Sequence, residues 1–137
     1  MSTPSRPPSG RPGGRSTAEP RSAWSGRPRW RVTRHGSIAL GPGKADLLEA
    51  IAARGSITSA ALALGMSYRR AWVLVASMNA AFRQPLVRTS SRRRAGARLT
   101  EDGREVLRLY RQIEAKSVAA ARRDLAALLG RLRDDSE

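Results

Sequence analysis

Two adjacent arginines, Arg69 and Arg70, stand at the start of a predicted helix, directly after Ser67 and Tyr68. An arginine side chain carries a planar fork of N–H donors, which binds phosphate oxygens or the edge of guanine in pairs. A serine at a helix start can cap the helix and can also donate a hydrogen bond to phosphate. The chemistry that these residue types predict is therefore recognition of a polyanion.

The distribution of charge supports the same prediction. The chain has 137 residues, a formal net charge of +15 and a pI of about 11.9. Between Glu49 and Glu101 there is no acidic residue. A solvated surface usually mixes both signs, so a one-sign stretch indicates a polyanionic partner such as nucleic acid. The same interval contains nine arginines: Arg54, Arg69, Arg70, Arg83, Arg88, Arg92, Arg93, Arg94 and Arg98.

Composition also argues against several other classes of protein. The chain has no cysteine and a single histidine, His35, so we expect no metal site, no cofactor and no enzyme activity. No apolar run approaches the roughly 20 residues of a membrane span, and the N-terminus lacks the apolar core of a secretory signal. We therefore expect a cytoplasmic, nucleoid-associated protein. Gly41–Lys44 has the letters GPGK, but Ala45 follows, so it does not match a phosphate-binding loop.

The stretch from Gly55 to Phe82 predicts two short helices joined by a tight turn. The first helix is expected from about Thr58 to Leu64, and Gly65 would end it with a positive φ. The second helix is expected to begin after Ser67 as N-cap. This is the pattern of a helix-turn-helix, whose second helix enters the DNA major groove, although any αα-hairpin would share it. The expected inward positions are Ile57, Ala60, Ala61 and Leu64, then Ala71, Leu74, Val75, Met78 and Phe82.

The flanking elements complete a winged helix. Upstream, the alternation around Trp30 and Val32 predicts a half-buried strand, with a turn at 35–36 and a return strand that points Ile38 and Leu40 inward. A helix from about Pro42 to Ala53 follows, in which we expect Lys44 to contact phosphate.

Downstream of the hairpin, two strand candidates, Leu86–Thr89 and Arg98–Thr100, enclose a basic loop. Such a loop is expected to be a wing that lies on the DNA backbone or enters the minor groove, and the alternative is a flexible loop with no partner.

A long helix is expected from Glu101, capped by Thr100. Val106, Tyr110 and Ile113 form its early apolar stripe. Further residues recur at heptad-like spacing, and a second copy of the chain would cover them; the alternative is packing onto the helix's own domain. These predicted dimerisation residues are Val118, Ala121, Leu125, Leu128 and Leu132. The fold class is therefore mainly α with a small β wing. We expect a disordered basic tail at 1–28, a winged helix-turn-helix at 29–100 and a dimerisation helix at 101–133.

The run from Leu40 to about Arg123 resembles the N-terminal DNA-binding domain of the ModE-type, molybdate-dependent regulators, which are related to the LysR-type winged helices. The motifs that carry the resemblance are LGPGKADLLEAI, GSITSAALALGMSYRRAWVLVASMN, PLVRTS and GARLTEDG. The resemblance implies a winged helix-turn-helix that binds a palindromic operator as a homodimer. It also implies that Ser67 to Arg70 start the recognition helix and that the wing lies near Arg92 to Arg94. Full-length members carry C-terminal oxyanion-binding domains, and since this sequence ends earlier, we expect no molybdate sensing.

Three hypotheses follow. The first is a sequence-specific, homodimeric transcription regulator that binds double-stranded DNA. The second is a non-specific architectural nucleic-acid-binding protein, and the third is a DNA-binding subunit that docks on a separate sensor. The residues expected to contact DNA are Ser56, Thr58, Ser67, Tyr68, Arg69, Arg70, Arg92, Arg93, Arg94 and Arg98.

Overall fold

A computed structural model of the chain describes residues 26–90 and 96–133. The described residues form four helices and two antiparallel two-stranded sheets. The predicted fold class is confirmed, because the elements follow the order of a winged helix-turn-helix with a long C-terminal helix. In chain order they are β1 (Val32–Arg34), β2 (Ser37–Leu40), α1 (Pro42–Arg54), α2 (Ile57–Ala63), α3 (Tyr68–Ala81), β3 (Val87–Thr89), β4 (Ala97–Leu99) and α4 (Glu101–Leu129).

The helix ends follow the local signals in the sequence. Ser67 caps α3, since its hydroxyl oxygen accepts the backbone N–H of Arg70 at 3.1 Å. Thr100 caps α4 in the same way through the N–H of Gly103 at 2.9 Å. Gly65 ends the turn between α2 and α3 with a φ of +66°, a conformation that glycine adopts without steric cost.

One hydrophobic core joins the first three helices, the wing strands and the start of α4. Most predicted inward positions are buried in it or packed against it, and the exception is Leu64, the C-cap residue after α2, which is 37% exposed. The buried residues of the core cluster are Leu40, Ala45, Leu47, Leu48, Ile51, Ile57, Ala60, Ala61, Ala71, Val75, Met78, Leu86, Val87, Ala97, Leu99 and Tyr110.

The β1–β2 hairpin differs from the prediction. All of β1 is exposed, and Ile38 of β2 is 44% exposed, while Leu40 is buried as predicted. The expectation of a half-buried first strand is therefore wrong. A two-stranded hairpin that adjoins the core only through the end of β2 leaves both faces of β1 in solvent. The predicted turn is confirmed at His35 and Gly36, both of which have positive φ.

The long helix α4 is fixed to the rest of the molecule at its first turns. Tyr110 is buried, and Val106 is partly buried against the core, but Ile113 is 42% exposed, so the predicted early stripe does not extend that far inward. The Tyr110 hydroxyl donates to the carbonyl of Trp30 at 2.7 Å. The Trp30 indole donates to Ser117 Oγ at 2.6 Å, so the chain before β1 lies along α4. No helix in the described ranges is long and apolar enough to cross a membrane.

Candidate nucleic-acid interface

The N-terminal turn of α3 projects three long side chains into solvent. Tyr68 is 52% exposed, and Arg69 and Arg70 are exposed beside it. Ala71, one residue later, is fully buried, and Val75 and Met78 continue that buried face. Because these small and apolar residues fix one side of the helix against the core, the arginines are held on the opposite, open side.

The start of α2 lies on the same surface. Ser56 is the N-cap of α2, and its hydroxyl oxygen accepts the N–H of Ser59 at 3.0 Å. Thr58 is exposed in the first turn. Capping uses the oxygens of Ser56 and Ser67 as acceptors, so each hydroxyl keeps a hydrogen that it can donate to a phosphate.

Tyr68 and Trp72 form an aromatic pair on the exposed side of α3. Their ring centroids are 6.1 Å apart and the ring planes make an angle of 81°, an edge-to-face arrangement. Together with Thr58 and the wing residues Thr89 and Ala97, they line a cleft of about 110 Å³. The structure therefore brings the starts of α2 and α3 next to the wing strands.

The wing is built from β3, β4 and the loop between them, which we define as residues 90–96. The strands pair antiparallel, with Val87 opposite Leu99 and Thr89 opposite Ala97. Ala97 also donates its N–H to the carbonyl of Gly55 at 2.9 Å, which attaches β4 to the corner between α1 and α2. Of the predicted wing residues, Arg98 lies exposed in β4, whereas Arg92, Arg93 and Arg94 lie outside the described residues.

A residue that the sequence interpretation did not single out fixes the wing to α3. The side-chain oxygen of Asn79 accepts the N–H groups of Leu86 and Val87 at 2.8 and 3.1 Å. Its amide nitrogen donates to the Val87 carbonyl at 3.1 Å. An asparagine on the partly buried side of a helix, just before a strand, is the sequence signal that could have revealed this role.

Gly103 of α4 also helps to position the wing. A Cβ at this position would lie 2.1 Å from the backbone oxygen of Leu86, the residue before β3. Only glycine therefore permits α4 to approach the start of the wing this closely. The Thr100 hydroxyl donates to the Pro85 carbonyl at 2.7 Å and reinforces the same junction.

The assignment of Lys44 to phosphate contact is contradicted by its partners. Its ammonium donates to the Ile38 carbonyl at 2.5 Å and to Ser77 Oγ at 3.0 Å. Partial burial lowers the pKa of Lys44. This lysine therefore connects β2, α1 and α3 within the molecule.

Ion pairs among the described residues occur on α1 and α4. Arg111 of α4 binds Asp46 at 2.8 Å, Glu114 at 2.9 Å and Glu49 at 3.3 Å. Burial acts to lower the pKa of Arg111, but the hydrogen bonds to Asp46 and Glu114 raise it above the ordinary value. Since the described carboxylates lie on α1 and α4, none of these ion pairs uses an arginine of α3 or of the wing strands.

Comparison with known proteins identifies the same part of the chain. Residues 44–104 match the family described as bacterial regulatory helix-turn-helix protein, lysR family. The chain is 41% identical over 78 residues to the molybdenum-pterin-binding protein MopA of Rhodobacter capsulatus, which is 56% of this chain and 29% of that protein. It is 37% identical over 84 residues to the molybdenum transport protein ModE of Azotobacter vinelandii, which is 60% of this chain and 31% of that protein. The chain thus spans less than a third of the length of these relatives, and the resemblance inferred from the sequence is confirmed.

Proposed function

From the premise that residues 44–104 form a helix-turn-helix domain of the lysR family, we propose that this chain is a sequence-specific, DNA-binding transcription regulator that acts as a homodimer. The observation that carries the proposal is the exposed, acid-free N-terminal turn of α3, where Arg69 and Arg70 have no ion-pair partner among the described residues. This helix end lies beside the wing strands, as groove recognition by a winged helix requires.

Each group on this surface has a distinct role in the proposal. Helix α3 enters the major groove, where Arg69 and Arg70 contact guanine edges or phosphates. The hydroxyls of Ser56, Thr58 and Ser67 bind phosphate and fix the register of the helix. The wing, with Arg92, Arg93, Arg94 and Arg98, adds affinity that carries little sequence information. Guanidinium and hydroxyl groups supply all of these contacts, so the proposed binding needs no cofactor.

The proposed homodimer uses the second half of α4. Val118 and Leu128 are 47% and 63% exposed on α4. Leu132 is 41% exposed and lies beyond the end of α4 at Leu129, so the helix predicted at 101–133 is shorter than expected. Val118, Ala121 and Leu125 line a cavity of about 460 Å³ together with residues 26–31, so this segment of the same chain covers part of the stripe. A second α4 packed along the exposed remainder of this stripe would bury it and would pair two recognition helices for a palindromic site.

Two arginine variants test the central assignment. We expect Arg70→Ala to lose discrimination between an operator and a scrambled duplex by about tenfold or more, because a bidentate guanine contact is lost. We expect Arg93→Ala to weaken both duplexes equally, because a phosphate contact reads no base. Binding titrations on both duplexes at two salt concentrations make the measurement, after the operator has been obtained by selection from random DNA. Equal losses for both variants on both duplexes would contradict the assignment.

The arginines of the wing strands have no ion-pair partner among the described residues, which favours a second candidate, a non-specific architectural DNA-binding protein. Such a protein would bind by counterion release alone, with a steep dependence of affinity on salt and no preference among sequences. If the selection from random DNA enriches no sequence, this second candidate replaces the first. Light scattering of the purified chain tests the homodimer separately, and a monomer at micromolar concentration would favour a subunit that docks on another protein.

A further inference from the structure

Arg88 and Arg98 face each other across the wing sheet. They are direct partners in the antiparallel register of β3 and β4, so their side chains leave the same face. Both are exposed, while Val87 and Leu99 on the opposite face are buried. Like charges directly opposite each other destabilise a sheet. No ion pair among the described residues neutralises either arginine of this pair.

The surroundings of the pair differ on its two sides. On the side of α4 the two arginines border a cavity of about 400 Å³ that also contains Glu101, Asp102 and Arg104. On the side of the wing loop they border a concavity of about 590 Å³ with Gly55, Thr89 and Ser90, and no acidic residue lines it. The second concavity is thus the one that favours an anion.

The acid-free concavity is continuous with the DNA-binding surface. Gly55 contributes to its lining, accepts the N–H of Ala97, and directly precedes Ser56, the N-cap of α2. A duplex that lies across the starts of α2 and α3 would pass over this corner with its phosphate backbone towards the wing.

We propose that Arg88 and Arg98 together bind one backbone phosphate of the duplex on the exposed face of the wing sheet. The inference rests on the proposed function and adds a phosphate site to it. Two guanidinium forks on adjacent strands converge on one oxyanion, whose negative charge removes the repulsion between them. Because the contact is to phosphate, it sets the position of the wing on the DNA and reads no base.

A charge-matched pair of double variants tests the site. Arg88→Gln with Arg98→Gln removes the pair, and Lys116→Gln with Arg123→Gln removes the same charge from exposed positions of α4 on the side opposite the proposed dimer stripe. We expect the first variant to bind operator and scrambled duplexes about tenfold more weakly. The slope of its log binding constant against log salt concentration should be smaller in magnitude by about one. We expect the α4 variant to bind nearly as the natural chain does. The first variant should also melt at the same temperature or higher in dilute buffer, because a repulsive pair has been removed.

Neutral phosphates locate the contact on the DNA. Replacing single phosphates of the duplex by methylphosphonate should weaken the natural chain at one position per half-site, and the Arg88→Gln, Arg98→Gln variant should no longer sense that position. Equal weakening of both double variants, or an unchanged response to methylphosphonate, would overturn the phosphate site while leaving the proposed function intact. Failure of the natural chain to bind any duplex would overturn both. If the glutamine variant melts earlier, Arg88→Lys with Arg98→Lys keeps the charge, and unchanged binding by that variant would show that no shared fork exists.

Discussion

Arg111 on α4 and Arg70 on α3 are the same residue type in opposite surroundings. Arg111 is partly buried and binds three carboxylates from α1 and α4. Arg70 is exposed, and no carboxylate among the described residues pairs with it. The first arginine joins two helices of the protein, whereas the second is left free for another molecule. A basic composition alone does not separate these roles; the location of the acids does.

Arg108 is intermediate between these two arginines, because it is ion-paired like Arg111 but exposed like Arg70. It forms a bidentate pair with Glu105 at 2.6 and 2.9 Å on the exposed surface of α4. The hydrogen bond raises the pKa of Arg108 and lowers the pKa of Glu105. Exposed pairs contribute little to stability because water and salt screen them. The ion pairs of the partly buried Arg111 with Asp46, Glu49 and Glu114 are therefore the ones with a structural role.

Asn79 joins α3 to the start of the wing, and its removal should have the largest effect. Asn79→Ala leaves the N–H groups of Leu86 and Val87 and the carbonyl of Val87 without their partner. We expect a loss of about 2–3 kcal/mol in the free energy of unfolding and weaker DNA binding, since the wing loses its attachment to α3. Urea unfolding monitored by circular dichroism measures the first effect, with the exposed Gln84→Ala as control. Unchanged stability would show that the wing is held by other contacts.

The variant Arg111→Gln tests whether the ion pairs between α1 and α4 stabilise the fold without contributing to DNA binding. This variant leaves Asp46, Glu49 and Glu114 close together without a cation, so we expect it to lose about 1–2 kcal/mol of unfolding free energy. Affinity for DNA at a temperature where the variant is folded should stay near that of the natural chain. Exposed Arg123→Gln, on the side of α4 opposite the proposed dimer stripe, is the control for the charge. A large loss of DNA affinity in folded Arg111→Gln would remove the distinction between the two sets of arginines.

A smaller effect is expected from the titration of Tyr110. Burial, and then the charge of Glu114, raise the pKa of this tyrosine above its ordinary value of 10.0. The folded state therefore favours the neutral hydroxyl, which donates to Trp30. Its stabilisation is complete below the unfolded pKa and is lost as the pH rises through the higher folded value. We expect Tyr110→Phe to cost about 1 kcal/mol at neutral pH and to reduce the loss of stability above pH about 10. An identical alkaline profile in both proteins would contradict this linkage.

Prediction from the sequence succeeded where the signal was local. The caps Ser67 and Thr100, the positive φ of Gly65 and the order of helices and wing strands were all predicted, because each depends on a few neighbouring residues. The wrong predictions concerned contacts between residues that are far apart in the sequence. The exposure of Ile38 and the internal bonds of Lys44 depend on how the hairpin meets α1 and α3.

The sequence by itself determined that one stretch would carry nine arginines and no acid, and that it would form a helix-turn-helix followed by a wing. Only the tertiary structure decided which cations of the described residues remain without an ion-pair partner and which groups hold the interface. Arg111 meets Asp46 across 65 positions of the chain, Tyr110 reaches Trp30 across 80, and Gly103 touches the backbone of Leu86. Helix caps and turns arise from interactions within a few residues, whereas these contacts exist only after the whole core has fixed the distances between elements.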